Sequence, residues 1–217
     1  MKTITLSFSL LLASLGSQAD DFSGHWRGLL QLAPEVSIVL GVELSPADDG
    51  YTLVLRSPNQ HSQPILPSSF TIDGNTLDFS ADQIRASFSG TLDGESITGV
   101  FTQGRNIPLT LTRLSPADTA RLAHEQQWFG DLQISRSASL PLVLNVAVIA
   151  GDYHVTLDSP KQQSFGIPVN TFSLSDEQLS FSSTMINASY QANWQHDAWQ
   201  GTFIQGQAMP LTLKKKP

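Results

Sequence analysis

Residues 99–111 read Gly-Val-Phe-Thr-Gln-Gly-Arg-Asn-Ile-Pro-Leu-Thr-Leu, and residues 201–213 read Gly-Thr-Phe-Ile-Gln-Gly-Gln-Ala-Met-Pro-Leu-Thr-Leu. The two stretches are 102 residues apart, and the same offset holds without a gap along most of the chain. It pairs Trp26 with Trp128, Gly28 with Gly130, Leu55 with Leu157, Gln60 with Gln162 and Phe79 with Phe181. So many matches in one fixed register identify the second half as a copy of the first. Each copy is about 100 residues, the size of a domain rather than of a solenoid repeat.

Within a copy the apolar residues recur every second position, the period of a half-buried strand. Trp26, Gly28, Leu30 and Leu32 alternate with more polar neighbours, as do Ile38, Leu40, Val42 and Leu44, and Tyr51, Leu53 and Leu55. In the second copy Leu140, Leu142, Leu144, Val146 and Val148 repeat the pattern. Asp73-Gly74-Asn75 separates Phe70 and Ile72 from Leu77 and Phe79, a hairpin signal. Ile84 to Leu92 passes through Asp93-Gly94 to Ile97, Gly99 and Phe101, and Ile107, Leu109 and Leu111 close the module.

The fold class is therefore all-β, with two tandem antiparallel modules of about eight strands each. A single apolar face can be hidden in a closed barrel or a two-layer sandwich. Inward glycines (Gly28, Gly90, Gly99) favour the barrel because they allow tight coiling. So does an inward Arg113 at the end of the last strand, placed to stack on Trp26. Gly24, Trp26 and Arg113 together resemble the closing device of lipocalin-type barrels. In copy two Gln126 stands for Gly24 and Lys215 for Arg113. The ungapped duplication predicts two separate cores.

Residues 1–19 read as a secretory signal peptide, with Lys2 ahead of an apolar stretch and Ser17 and Ala19 as small residues before the cleavage point. A periplasmic or secreted location follows from that reading. The domain boundaries it gives are module 1 over 20–114, a linker over 115–125 and module 2 over 126–217. Ser115, Pro116 and Asp118 mark the linker as a short capped helix. The chain holds no cysteine, and roughly 200 residues bury enough surface to fold without disulfides. Its formal charge of −7 becomes −8 without Lys2, which argues against nucleic acid and anionic membranes as partners. No later run has the length of a membrane-spanning helix.

Trp-x-Gly-x-Leu, Leu157-Asp158-Ser159-Pro160-Lys161-Gln162, Gly166-Ile167-Pro168-Val169 and Gly201-Thr202-Phe203-Ile204-Gln205-Gly206 occur in that order. This order resembles the small β module ahead of the catalytic domain in many exported bacterial α/β-hydrolases and β-lactamase-like serine hydrolases. Copy one departs from it with Arg56 at the place of Asp158 and Pro64-Ile65-Leu66-Pro67 at the Gly-Ile-Pro segment. The resemblance implies an accessory role, and hydrolase activity does not carry over with it.

No Gly-x-Ser-x-Gly, Ser-x-x-Lys or metal-like histidine spacing occurs, so the sequence predicts no enzyme and no cofactor. Asp158 and Asp197 are the carboxylates a hydrolase reading would use, yet copy one has Arg56 and Glu95 there. The candidate binding residues are Trp26, Ser57, Gln60, Gln103 and Arg113, with counterparts Trp128, Ser159, Gln162 and Gln205. By alternation Gln103 points inward. It either bonds the backbone of the loop after Ser57-Pro58 or joins the tryptophans around a polar ligand. The expected partner is a small ligand or an envelope protein. A carrier of one apolar molecule and a purely structural spacer are the other readings.

Overall fold

The computed structural model describes residues 21–215; the predicted signal peptide lies outside them. The first module contains β1 (Gly24–Ala33), β2 (Val36–Ala47), β3 (Gly50–Arg56), β4 (Ser69–Asp73), β5 (Thr76–Ala81), β6 (Ala86–Asp93), β7 (Ser96–Gln103) and β8 (Arg105–Arg113). A helix, α1 (Pro116–Arg121), leads into the second. That module contains β9 (Gln126–Ser135), β10 (Ala138–Ile149), β11 (Asp152–Ser159), β12 (Ser164–Pro168) and β13 (Thr171–Leu174). It continues with β14 (Gln178–Ser183), β15 (Ala188–Gln195), β16 (Ala198–Gln205) and β17 (Gln207–Lys215).

Each module is one antiparallel sheet, ordered β3-β2-β1-β8-β7-β6-β5-β4 in the first and β12-β11-β10-β9-β17-β16-β15-β14-β13 in the second. Pairing of the first strand with the last makes the sheet curl, and one segment then spans the seam. In module two Val169 N–H donates to Val155 on the β11 side, and the next residue, Asn170, donates to Ser182 on the β14 side. In module one Leu55 and Ile65 exchange backbone bonds while Ser68 N–H donates to Ser80. The result is two nearly closed barrels rather than sandwiches. One predicted strand residue falls outside: Ile84 belongs to a single 3-10 turn, Asp82–Ile84, and β6 starts at Ala86.

Each barrel has its own core. Trp26, Val42, Leu55, Leu77, Phe101 and Leu111 belong to the first, and Leu144, Leu157, Phe181, Tyr190, Phe203 and Leu213 to the second. Close coiling needs glycine where β6 crosses β7: a Cβ on Gly99 would strike the Ser89 carbonyl, and one on Gly201 the Gln191 carbonyl.

The linker forms as its sequence demands. Ser115 Oγ accepts from Asp118 N–H at 3.1 Å, and Asp118 Oδ2 accepts from Ser115 N–H at 3.2 Å. The Ser115 hydroxyl bond, foremost, holds the Asp118 carboxyl below its ordinary pKa, and Gly151 N–H and Arg121 act in the same direction. Asp118 thereby ties the helix to the β10–β11 turn.

The modules meet along a polar seam built from outward positions of β1, β2, β10 and β11. Arg27 is buried there, with Glu43 of its own module at 3.5 Å and Glu125 at 3.4 Å. Glu125 also accepts Val148 N–H at 3.0 Å, so the pair links both modules. Asn59 donates to Thr156 across the seam at 3.5 Å, and the His154 ring meets the Ser37 carbonyl at 3.1 Å. Charges at outward strand positions are ordinarily solvated, and here the second module covers them.

Candidate functional site

The antiparallel register sends the predicted site residues to opposite ends of each barrel. Trp26 and Arg113 are paired positions at the end where β1 begins and β8 finishes. Ser57, Gln60 and Gln103 lie at the other end, where β3 and β7 finish. The tryptophans and glutamines therefore do not surround a shared pocket.

At the glutamine end the contacts are local and repeat in both copies. Ser57 Oγ donates to Gln60 Oε1 at 2.8 Å, and Ser159 Oγ donates to Gln162 Oε1 at 2.8 Å. Gln103 is exposed rather than buried inward, because alternation carries it past the rim. Its amide donates to the Ile84 carbonyl at 2.8 Å and not to the loop after Ser57. Gln205 donates to the Ile186 carbonyl at 2.9 Å in the same way. These amides pin the connections that precede β6 and β15, a task every copy of the fold must perform.

The tryptophan ends differ between the copies. In the first barrel Phe22 is completely buried and its carbonyl accepts the Trp26 indole N–H at 2.9 Å. The Arg113 guanidinium lies 4.1 Å from the Trp26 ring centroid and donates to the carbonyls of Ser23 and Asp21. Glu95 stands 2.7 Å from Arg113 Nε, and Tyr51 packs edge-on against Phe22. Ser23, first, and Tyr51 donate to Asp21 and hold its carboxyl below the ordinary range. This end is plugged, with its indole donor satisfied.

In the second barrel His124 occupies the place of Phe22 and is exposed. Its ring meets the Tyr153 hydroxyl at 2.8 Å, so the linker forms a wall and not a plug. Leu92 and Ile97 of copy one become Trp194 and Trp199. With Trp128 they form a mutually edge-on cluster with centroids 4.9–6.0 Å apart. Lys215 sits 5.8 Å from the Trp128 centroid, farther than Arg113 from Trp26. The mouth is a cleft of about 250 Å³ bounded by His124, Gln126, Trp194, Asp176, Ser175 and Lys215, with Trp128 and Trp199 behind. Trp128 and Trp199 are 6 % and 4 % exposed, and neither indole N–H has an acceptor among the described residues. Buried donors are nearly always paired, so two in one cleft mark a place where an acceptor is expected.

Trp194 and Trp199 carried no site signal in the sequence because they stand at inward positions that copy one fills with the ordinary core residues Leu92 and Ile97. The usable signal was the divergence of the copies there from aliphatic to indole. Arg27 escaped because alternation assigns it to solvent.

Asp158 accepts Asn145 Nδ2 at 2.9 Å and Gly166 N–H at 2.7 Å, while Asp197 lies in the turn between β15 and β16 with φ 58°. Among the described residues no group of three or more histidine, cysteine, aspartate or glutamate side chains could hold a metal ion. No helix among them is long and apolar enough to cross a membrane. No protein-family model, curated protein or solved structure matches the chain.

Proposed function

We propose that this chain is an exported, non-catalytic binding protein in which the first barrel is a plugged scaffold and the second binds a small ligand at its tryptophan mouth. The observation that carries this reading is the asymmetry of the two ends. One scaffold, duplicated, keeps a buried Phe22 and a bonded indole in copy one and opens a cleft with two unbonded indoles in copy two. A purely structural duplication has no use for that difference. Apolar side chains fill both barrel interiors, which favours a rim site over an internal carrier cavity. The resemblance to accessory modules of exported hydrolases fits a binding role beside, and separate from, catalysis.

The test uses the four indole N–H signals in a proton–nitrogen correlation spectrum of the mature chain, titrated with a small-molecule library and an envelope extract. A genuine ligand shifts Trp128, Trp194 and Trp199 while Trp26, bonded to Phe22, stays still. Ligands that perturb Trp26 equally, or a library that moves none of the four, would discard the reading.

A further inference from the structure

We infer that the ligand of the second barrel is a linear, uncharged polysaccharide strand, held at one end against Trp194 and running from there over the outer face of β13–β16. This rests on the preceding reading and adds the chemical class and path of the ligand. Ser175 borders the tryptophan mouth and also a trough on the outside of the sheet, so the two adjoin at that residue. The floor of the trough is two cross-strand rows. Ser180, Gln191 and Thr202 face one another in the first, and Gln178, Asn193 and Gln200 in the second. Rows in a sheet lie about 4.8 Å apart across strands and about 6.6 Å along them, giving a regular grid of hydrogen-bonding groups.

The composition of the grid selects its occupant. Hydroxyls and carboxamides both donate and accept, as sugar hydroxyls and N-acetyl groups do. A charged polymer would be met by a line of opposite charge, and no charged side chain borders this trough. A protein partner would be anchored by large apolar or aromatic side chains at the centre, where this surface offers amides. At the mouth, the half-buried Trp194 supplies an apolar ring face. Asp176, Lys215 and Gln126 supply acceptor and donor groups around it, the usual mix for a polyhydroxylated ring.

Copy one serves as the internal comparison. Its counterpart of the first row is Asp78, Ser89 and Val100, so a carboxylate and an aliphatic side chain interrupt the hydroxyls there. The uninterrupted, uncharged row and the open mouth thus occur in the same copy, and the interrupted row accompanies the plugged end.

The experiment is calorimetric titration of the full mature chain with N-acetylglucosamine and cellulose oligomers from mono- to hexasaccharide, followed by indole spectra. Affinity is expected to rise about tenfold between the mono- and tetrasaccharide of at least one series. Gln191→Leu and Asn193→Leu are expected to flatten that rise while leaving indole shifts and thermal unfolding unchanged. Trp194→Ala is expected to abolish binding at every length. Binding that ignores length, or indole shifts produced only by non-sugar ligands, would overturn the strand while leaving the small-ligand reading intact. If no compound of any class moves the second-barrel indoles, both readings fall.

Discussion

Trp26 and Arg113 show how one pair of side chains can settle whether a barrel end is closed. The guanidinium covers the indole face and satisfies carbonyls of Asp21 and Ser23, so the residues before β1 are folded back over the rim. Arg113→Ala removes a cation–π contact and charge-assisted hydrogen bonds, and should destabilise the first module by about 2 kcal/mol. Urea denaturation monitored through hydrogen exchange of module-one amides measures it. Exchange near Phe22 should rise first, and module-two amides should not change. In the second barrel Tyr190 replaces Phe88. Its buried hydroxyl reaches the carbonyls of Trp199 and Leu211 at 3.0 and 3.1 Å. Burial pushes its pKa upward, so the phenol stays neutral in the folded chain. Because the folded value lies above the unfolded one, this contribution is complete below about pH 10 and fades as the pH rises further. Tyr190→Phe strands those carbonyls partly and should cost about 1 kcal/mol at neutral pH, read as a lower urea midpoint.

At the scale of elements, coiling and capping carry local rules that can be broken singly. Gly201→Val places a side chain against the Gln191 carbonyl and Ala192, where backbone must give way. Expected is loss of about 3 kcal/mol or more, or failure of module two to fold while module one persists, seen as half the native amide signals vanishing. Ser115→Ala removes both hydroxyl bonds of the capping box. It should cost about 1 kcal/mol locally, detected as faster hydrogen exchange at Thr119, whose amide bonds to the Ser115 carbonyl. Capping, turn and alternation signals were all legible in the sequence because each depends on residues within a few positions. Ile84 was misassigned to a strand since the left-handed Arg85 that ends its turn carries no glycine signal.

At the scale of the whole molecule the two modules are bridged by the polar contacts of their seam, and that seam should respond to pH. Burial, the larger effect, pulls the His154 pKa below its ordinary value, against the opposing bond to the Ser37 carbonyl. The unfolded chain therefore binds a proton more readily than the folded one. Stability is complete above about pH 6.5 and declines as the pH falls through and below that value. Thermal unfolding followed across that range should show the decline, and His154→Gln should remove most of it. A profile unaltered by the substitution would assign the pH response elsewhere.

The sequence by itself determined the duplication, the all-β class, the strand alternation and the capped linker, because these follow from periodicity and from contacts between chain neighbours. It also placed Arg113 over Trp26, since both ends of a curled sheet must meet. Only the tertiary structure decided that Gln103 and Gln205 brace local connections, that Arg27 is buried between modules, and that the two tryptophan ends differ. Those outcomes depend on which residues distant in the chain arrive at the same rim or seam. Alternation states the face a side chain occupies, but not whether another module will cover that face or whether the barrel end above it is closed.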